Sequence, residues 1–115
     1  MPVQQWSDDI WVAKLGPDPA FTDDIDEMLG SMERRELRRH IVVDLAGVTQ
    51  MNSSNLSSLL RVRKVVIDTD RQLMLSAPTD RVWALFLATG LDKVFDFAED
   101  TAIALAQLQI EGGEG

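Results

Sequence analysis

The sequence predicts one α/β domain with a mixed, mostly parallel sheet of four to five strands and about four helices. A chain of 115 residues has room for one core. Its apolar residues alternate between short strand-like runs and segments with helical spacing, and the run Ile41–Leu45 is apolar enough for a central strand covered on both faces. We assign the domain to residues 1–110 and expect 111–115 to form a flexible tail.

A strand pair is predicted at the start of the chain. Ile10–Leu15 is a short apolar run, and a Gly-Pro-Asp-Pro segment at 16–19 ends it. Val3–Trp6 precedes it at a distance suitable for a hairpin. We therefore expect an antiparallel edge on a sheet that is otherwise parallel, with right-handed crossovers.

Helical spacing begins at Phe21, and we expect Thr22 to cap this first helix. Acidic residues cluster near its start and arginines near its end, in the order that complements the helix dipole. The basic run Arg34–Arg39 resembles a nucleic-acid or lipid patch. We interpret it as a solvated helix end, because it is short and Glu36 interrupts it.

After the central strand, 47–51 forms a turn, polar side chains at 52–55 provide caps, and a helix is predicted over Leu56–Thr69. Its polar face holds Ser57, Arg61, Lys64 and Asp68. Arg63 falls within the apolar stripe, so its stem should pack while the guanidinium reaches the rim. The predicted stripe consists of Leu56, Leu59, Leu60, Val62, Val66 and Ile67.

The C-terminal third predicts strand, helix, strand and helix. The strands are Arg71–Ser76 and Val94–Phe97. Thr79 and Asp80 begin the first of these helices, Gly90 ends it, and Glu99 and Asp100 begin the second. The predicted buried faces are Val82, Leu85, Phe86 and Thr89 on the first, then Ala102, Leu105, Ala106 and Leu108 on the second.

Charge and hydropathy exclude several classes of partner. A net charge of −8 and a pI near 4.4 repel a phosphate backbone, so we expect no nucleic acid. No apolar run is long enough for membrane insertion. The start of the sequence has neither a basic segment nor an apolar one, and cysteine is absent, so we expect a cytoplasmic protein.

We also expect no enzymatic activity, no cofactor and no metal. The single histidine, His40, has no nucleophile placed beside it by a motif, and we interpret it as a surface residue. There is no glycine-rich phosphate loop. Paired acids such as Asp23 and Asp24 are explained by the positive end of a helix.

Functional surfaces of α/β domains tend to lie where strands end and helices begin, which directs attention to residues 44–60. Within this segment, a motif is formed by Asp44, Leu45, Val48, Met51, Ser53, Ser54 and Leu56. This motif resembles the signature of the STAS domain family, the fold of bacterial anti-sigma-factor antagonists. The similarity extends over about 41–108 and includes the Ala77–Pro78 step and the segment 89–95.

The resemblance implies a partner switch that controls transcription. A serine kinase that is also the anti-sigma factor would phosphorylate Ser53, with Ser54 the less favoured site, and a serine phosphatase would reverse the reaction. The unphosphorylated protein would capture the anti-sigma factor. The sequence departs from the family pattern at Asn52, usually Asp, and at Asn55, usually Gly, where asparagine tolerates a left-handed backbone.

The residues make such a switch physically reasonable. A phosphate on Ser53 would lie at a helix N-terminus, where free backbone N–H groups favour an anion. Its charge of about −1.5 to −2 would oppose docking of a partner. We expect a monomer or weak dimer, with Trp83 as an anchor of the contact surface. The predicted partner-binding residues are Asn52, Ser53, Ser54, Asn55, Ser57, Arg61, Lys64, Trp83 and Leu87.

Three alternatives stay open. The Asn-Ser-Ser-Asn segment is also ordinary helix-capping chemistry, and Trp83 can equally cover the edge of the core. The domain can be a constitutive scaffold or an accessory subunit, for example of a lipid-transport ATPase. It can also be a nucleotide- or anion-binding module that uses the helix N-terminus at Ser53 and Ser54.

Overall fold

A computed structural model describes residues 3–35 and 38–112, and it contains a five-stranded sheet and four α-helices within them. The strands are β1 (Val3–Gln5), β2 (Ile10–Lys14), β3 (His40–Asp44), β4 (Leu73–Ser76) and β5 (Asp96–Ala98). The helices are α1 (Ala20–Arg35), α2 (Ser53–Asp68), α3 (Asp80–Thr89) and α4 (Thr101–Gly112), with a 3₁₀ turn at Leu91–Lys93.

The strands lie in the sheet in their sequence order, β1 to β5. Only the β1–β2 pair is antiparallel, and the other three pairs are parallel. The predicted fold class and the N-terminal hairpin are therefore confirmed. Because β3 is the middle strand and its neighbours run parallel to it, the carboxyl ends of β2, β3 and β4 meet at one edge of the sheet.

The central strand divides the core into two layers. Ile41 and Val43 are fully buried in the larger cluster, with residues of α1, α2 and α3. Val42 points to the opposite face and packs in a smaller cluster with Ala104 and Leu108 of α4. Each such fully buried branched side chain contributes about 1.5–3 kcal/mol of transfer free energy. The prediction of a strand covered on both faces is confirmed.

Three of the predicted helix caps are present. Thr79 Oγ1 accepts from the backbone N–H of Val82 at 3.3 Å, and Asp100 Oδ1 accepts from that of Ile103 at 2.8 Å. Gly90 ends α3 with a left-handed backbone at φ 78°. Glycine is suited to this position because it carries no Cβ that would clash with the backbone.

Several predicted boundaries were wrong. Helix α1 begins at Ala20, so Thr22 lies inside it and is not its cap. Helix α2 begins at Ser53 and not at Leu56, because the polar residues after its cap are already helical. The last strand is shifted to Asp96–Ala98, because the chain is still turning at Val94 and Phe95 after the 3₁₀ turn at Leu91–Lys93. Helix α4 continues to Gly112, and the rest of the predicted tail lies outside the described residues.

Some residues predicted to lie on the buried faces of α2, α3 and α4 are exposed. Leu60 and Ile67 are 38% and 44% exposed, since the buried stripe of α2 is narrower than predicted and includes Ser58 instead. Thr89 is exposed at the end of α3. On α4 the buried residues are Ala104 and Leu108, whereas the predicted Ala102 and Ala106 face outward. Arg63 behaves as predicted, since it is half-buried and its Nε donates to Val94 O at 3.1 Å.

His40 is not the surface residue that the sequence suggested. It is the first residue of β3 and only 9% exposed. Its Nδ1 accepts a hydrogen bond from the backbone N–H of Gln72 at 3.0 Å. Burial holds the pKa of His40 below its usual value, and the nearby positive charge of Arg71 lowers it further. The negative charge of Asp9 raises the pKa, but by less.

Among the helices of the described ranges, none combines the length and apolar character needed to cross a bilayer. The basic run at 34–39 lies partly outside these ranges, since residues 36 and 37 are not described.

Candidate functional site

The start of α2 is positioned by the turn that follows β3. The backbone N–H of Leu45 donates to Ser76 O at 2.8 Å, which extends the parallel ladder by one residue. Asp44 Oδ1 then accepts from the N–H of Ala46, and the N–H of Val48 donates to Leu45 O. Val48 is completely buried and anchors the turn. These bonds fix where the chain enters α2, at the sheet edge where the parallel strands end.

Two asparagines close the first turn of α2 as a reciprocal capping box. Asn52 Oδ1 accepts from the backbone N–H of Asn55 at 2.9 Å, and Asn55 Oδ1 accepts from that of Asn52 at 3.0 Å. The box satisfies two backbone donors and leaves the intervening Ser53 and Ser54 at the first helical positions. Asn55 is helical and 3% exposed, so its backbone does not use the left-handed conformation that asparagine tolerates.

The capping box is joined to the loop before α1 by Asp18. Asn55 Nδ2 donates to Asp18 Oδ2 at 2.9 Å, and Asn52 Nδ2 lies 3.5 Å from the same oxygen. The other oxygen accepts from the hydroxyl and the backbone N–H of Thr22. These donors, Asn55 first and then Thr22, lower the pKa of Asp18. The carboxylate therefore holds the starts of α1 and α2 together.

Ser53 and Ser54 are both exposed, and their hydroxyls make no hydrogen bond to any described residue. They line an open groove of about 360 Å³ between α1 and α2. Because they occupy the first two positions of the helix, their own backbone N–H groups point out of its N-terminus. The groove is completed by Thr22, Asp26, Ser57, Ser58 and Arg61.

One ion pair crosses this groove. Arg61 Nη2 of α2 lies 3.7 Å from Asp26 Oδ1 of α1. Both side chains are more than half exposed, at 62% and 53%. An exposed pair at this distance contributes little to stability, so Arg61 is free to exchange partners at small cost.

Helix α3 is tied to the same edge of the sheet. Thr79 Oγ1 donates to Val48 O at 3.2 Å, which links the start of α3 to the turn before α2. Ala77, two residues earlier, has a positive φ of 53°, an uncommon conformation for alanine that costs about 1–2 kcal/mol. The positive φ of Ala77 and the hydrogen bond from the Thr79 hydroxyl together fix the direction in which α3 leaves the sheet.

Two apolar side chains of α3 face outward. Trp83 is 36% exposed, and one of its faces meets Phe97 edge-on at a ring-centroid distance of 4.9 Å. Leu87, one turn later, is 52% exposed. Trp83 therefore both covers the edge of the core and presents apolar surface, as the two sequence interpretations had separately suggested.

The structure does not bring all of the predicted partner-binding residues together. Ser53, Ser54, Ser57 and Arg61 share the groove, whereas Lys64 lies about 16 Å from Ser53 along the axis of α2 and pairs with Asp68 at 2.9 Å. The Asn55 side chain is buried against Asp18, so it holds the start of α2 in place and is not accessible to a partner.

Sequence reasoning missed the contribution of α1 and the loop before it. Asp18 and Pro17 line a second cavity of about 320 Å³ beside the capping box, and Asp26 provides the acid of the groove. The one available signal was an aspartate placed between two prolines directly after a strand, which we took only as a stop. No group of three or more metal-ligating side chains occurs in the described ranges.

Comparisons with known proteins agree with this architecture. A structure of TM1081 from Thermotoga maritima, a proposed anti-sigma factor antagonist, superimposes with a TM-score of 0.81 at 14% identity, covering 94% of this chain and 93% of that one. An NMR structure of TM1081 gives 0.79 at 14% identity, with 94% and 87% covered. A single-substitution variant of RsbS from Moorella thermoacetica gives 0.78 at 13% identity, with 97% and 99% covered.

At these identities the similarities establish the shared fold. No curated protein matches the sequence. The family model of the STAS domain matches residues 17–104, which include the capping box, the groove and all of α2 and α3. The chain belongs to the STAS domain family.

Proposed function

We propose that this protein is an anti-sigma-factor antagonist whose binding is switched by phosphorylation of Ser53. The observation that carries the proposal is the position of Ser53, exposed and without a hydrogen-bond partner among the described residues, as the first residue of α2. The family match and the likeness to TM1081, described as a proposed antagonist, support the same function. The protein itself is proposed to be non-enzymatic and cytoplasmic.

Phosphorylation would be carried out by a serine kinase that is also the anti-sigma factor. The γ-phosphoryl group of ATP is transferred to Ser53 Oγ, the hydroxyl proton passes to a base on the kinase, and ADP leaves. A serine phosphatase hydrolyses the phosphoserine with water and releases inorganic phosphate. The N-terminus of α2 tolerates the added anion, so the modification need not unfold the helix.

The binding surface would combine the groove with the exposed face of α3. Ser53, Ser54, Ser57 and Arg61 supply a small, polar surface, and Trp83 and Leu87 supply apolar anchors. Tyrosine, tryptophan and arginine dominate the energetics of many interfaces. A dianionic, hydrated phosphate within this surface would have to be desolvated on docking, which opposes binding.

The first test is incubation with the cognate kinase and ATP, followed by mapping of the modified residue by mass spectrometry. Ser53→Ala should abolish the modification, and the matched control Ser54→Ala should retain it. A Ser53→Ala protein that is still fully phosphorylated would place the site elsewhere.

A second test separates the switch from the alternatives. The Ser53→Ala and Ser53→Asp variants should differ in affinity for the anti-sigma factor, with the aspartate variant weaker. Equal affinities would contradict the switch and favour a constitutive scaffold or accessory subunit. Heat released on titration with millimolar nucleotide would favour a nucleotide-binding module instead.

A further inference from the structure

The outer surface of α4 is apolar and carries no charge. The exposed apolar residues on this surface, called the α4 face below, are Ala102, Ile103, Ala106 and Ile110. Ile103 is 44% exposed and Ile110 is 70% exposed. No charged residue occurs between positions 101 and 110. A helix that is apolar on all sides is normally buried on all sides, so α4 lacks a covering layer on its outer face.

The other three helices carry charges on their outer surfaces. Glu27 is exposed on α1, Arg61 on α2 and Arg81 on α3. Because the chain has a net charge of −8, two copies repel each other wherever their acidic surfaces meet. The acids next to α4 in the sequence lie at its two ends, at positions 99, 100 and 111. The α4 face is therefore a surface on which two copies can meet without placing like charges opposite each other along its length.

The α4 face is also complementary to itself in shape. Ala102, Ala106 and Ile110 are spaced four residues apart and therefore lie within about 80° of the helix circumference. When a second copy of α4 runs antiparallel across this face with Ala106 opposite Ala106, Ile110 of each copy lies opposite Ala102 of the other. Each large side chain then fills the space left by a small one. The two alanines at the centre allow the helix axes to approach to about 8–10 Å.

We propose that the α4 face joins two copies of this chain in an antiparallel, two-fold symmetric dimer. The contact is one helix face about 18 Å long and about 10 Å wide, so it buries less than the roughly 1,200 Å² of total area that stable complexes bury. The dimer is therefore weak and forms at high protein concentration. Because α4 lies on the sheet face opposite α1, α2 and α3, the groove at Ser53 stays open in both copies.

The arrangement is tested by cross-linking, because the chain contains no cysteine and a single introduced thiol reports one position. Ala106→Cys places the thiol on the two-fold axis, where facing Cα atoms of helices about 10 Å apart are about 5 Å from each other, within the range of a disulfide. Mild oxidation should therefore link this variant into a dimer. Ala102→Cys is the matched control on the same face. Its Cα lies about 12 Å along the helix from that of its copy, so it should cross-link at least about tenfold more slowly.

Sedimentation equilibrium measures the association of the cysteine-free protein. The average mass should rise above the monomer value of 12.8 kDa as the concentration approaches about 1 mM, and it should rise further at high salt, which screens the repulsion between acidic copies. Ile110→Lys should stay at the monomer mass, because it places a charge within the apolar contact. The matched control Ile67→Lys makes the same change at an exposed isoleucine of α2, and it should associate like the wild type.

Equal cross-linking rates for Ala106→Cys and Ala102→Cys would overturn the antiparallel arrangement. A wild-type protein that stays at the monomer mass, or an Ile110→Lys protein that associates as well as Ile67→Lys, would overturn the dimer. The proposed switch at Ser53 would stand after any of these results, because it uses the other face of the sheet. Conversely, a kinase that ignores Ser53 would leave the dimer unchanged.

Discussion

Asn55 donates its side-chain N–H to Asp18 Oδ2 at 2.9 Å across 37 residues of sequence. The bond joins the first turn of α2 to the loop that leads into α1. Because Asn55 also completes the capping box with Asn52, one buried amide fixes both the start of α2 and its position against α1. Ser53 and Ser54 are displayed at the surface because their neighbours on both sides take up the capping role.

Replacing Asn55 should therefore destabilise the fold. Asn55→Ala removes one side of the capping box and leaves Asp18 without its closest donor from α2, which should lower the free energy of unfolding by about 1–2 kcal/mol. Urea denaturation measures the change. The control Ser54→Ala, which loses no hydrogen bond to a described residue, should stay within about 0.5 kcal/mol of the wild type. Equal stability of the two variants would contradict the role assigned to Asn55.

The lowered pKa of Asp18 predicts a contribution to stability that depends on acid pH. A carboxyl with a depressed folded pKa stabilises the protein above its unfolded value, near 3.8, and this stability is lost as the pH falls through the folded pKa. Asp18→Asn should be less stable than the wild type at pH 6, and the difference should shrink below about pH 4. Thermal unfolding across this range tests it. A difference that stays constant with pH would show that the charge of Asp18 is not responsible.

His40 is the single histidine of the chain, so its titration is directly observable by NMR. Burial should hold its pKa below 6.5, and the neutral ring should accept from the N–H of Gln72. Since the unfolded chain then binds a proton more readily than the folded one, the associated stability is present above about pH 6.5 and is lost as the pH falls toward the folded pKa. An imidazole pKa at or above 6.5 would contradict the buried, neutral state.

Trp83 should be an anchor for the partner. Trp83→Ala should weaken binding of the anti-sigma factor by about 30-fold, corresponding to the 2 kcal/mol typical of an interface hot spot. Trp6, 45% exposed beside the N-terminal hairpin, provides the matched control, and Trp6→Ala should bind normally. Because Trp83 also contacts Phe97, circular dichroism must show that the variant is folded. If the two variants bind the anti-sigma factor with equal affinity, Trp83 covers the edge of the core and does not contact the partner.

The sheet was predictable from the sequence because strand signals are local. Ile41, Val42 and Val43 form a continuous apolar run, and such a run indicates a strand covered on both faces whatever its neighbours are. Caps such as Thr79 and Gly90 were predictable for the same reason, since their chemistry is decided within a few residues.

The cross-chain features of the site were not predictable in this way. Asp18 and Asp26 join the site through contacts with residues more than 30 positions away. The spacing of polar and apolar residues along the sequence shows which face of a helix is buried, but it does not show which distant residues pair. His40 was misplaced for a related reason. Its burial depends on the packing around the start of β3, whereas its sequence neighbours are arginines that suggest a solvated surface.

The most direct test of the account is the affinity of the anti-sigma factor for this protein with serine and with phosphoserine at position 53. Isothermal titration calorimetry of the two forms gives both dissociation constants under one set of conditions. The account predicts tight binding of the serine form and at least tenfold weaker binding of the phosphoserine form, a difference of about 1.4 kcal/mol or more. Equal dissociation constants for the two forms would contradict it.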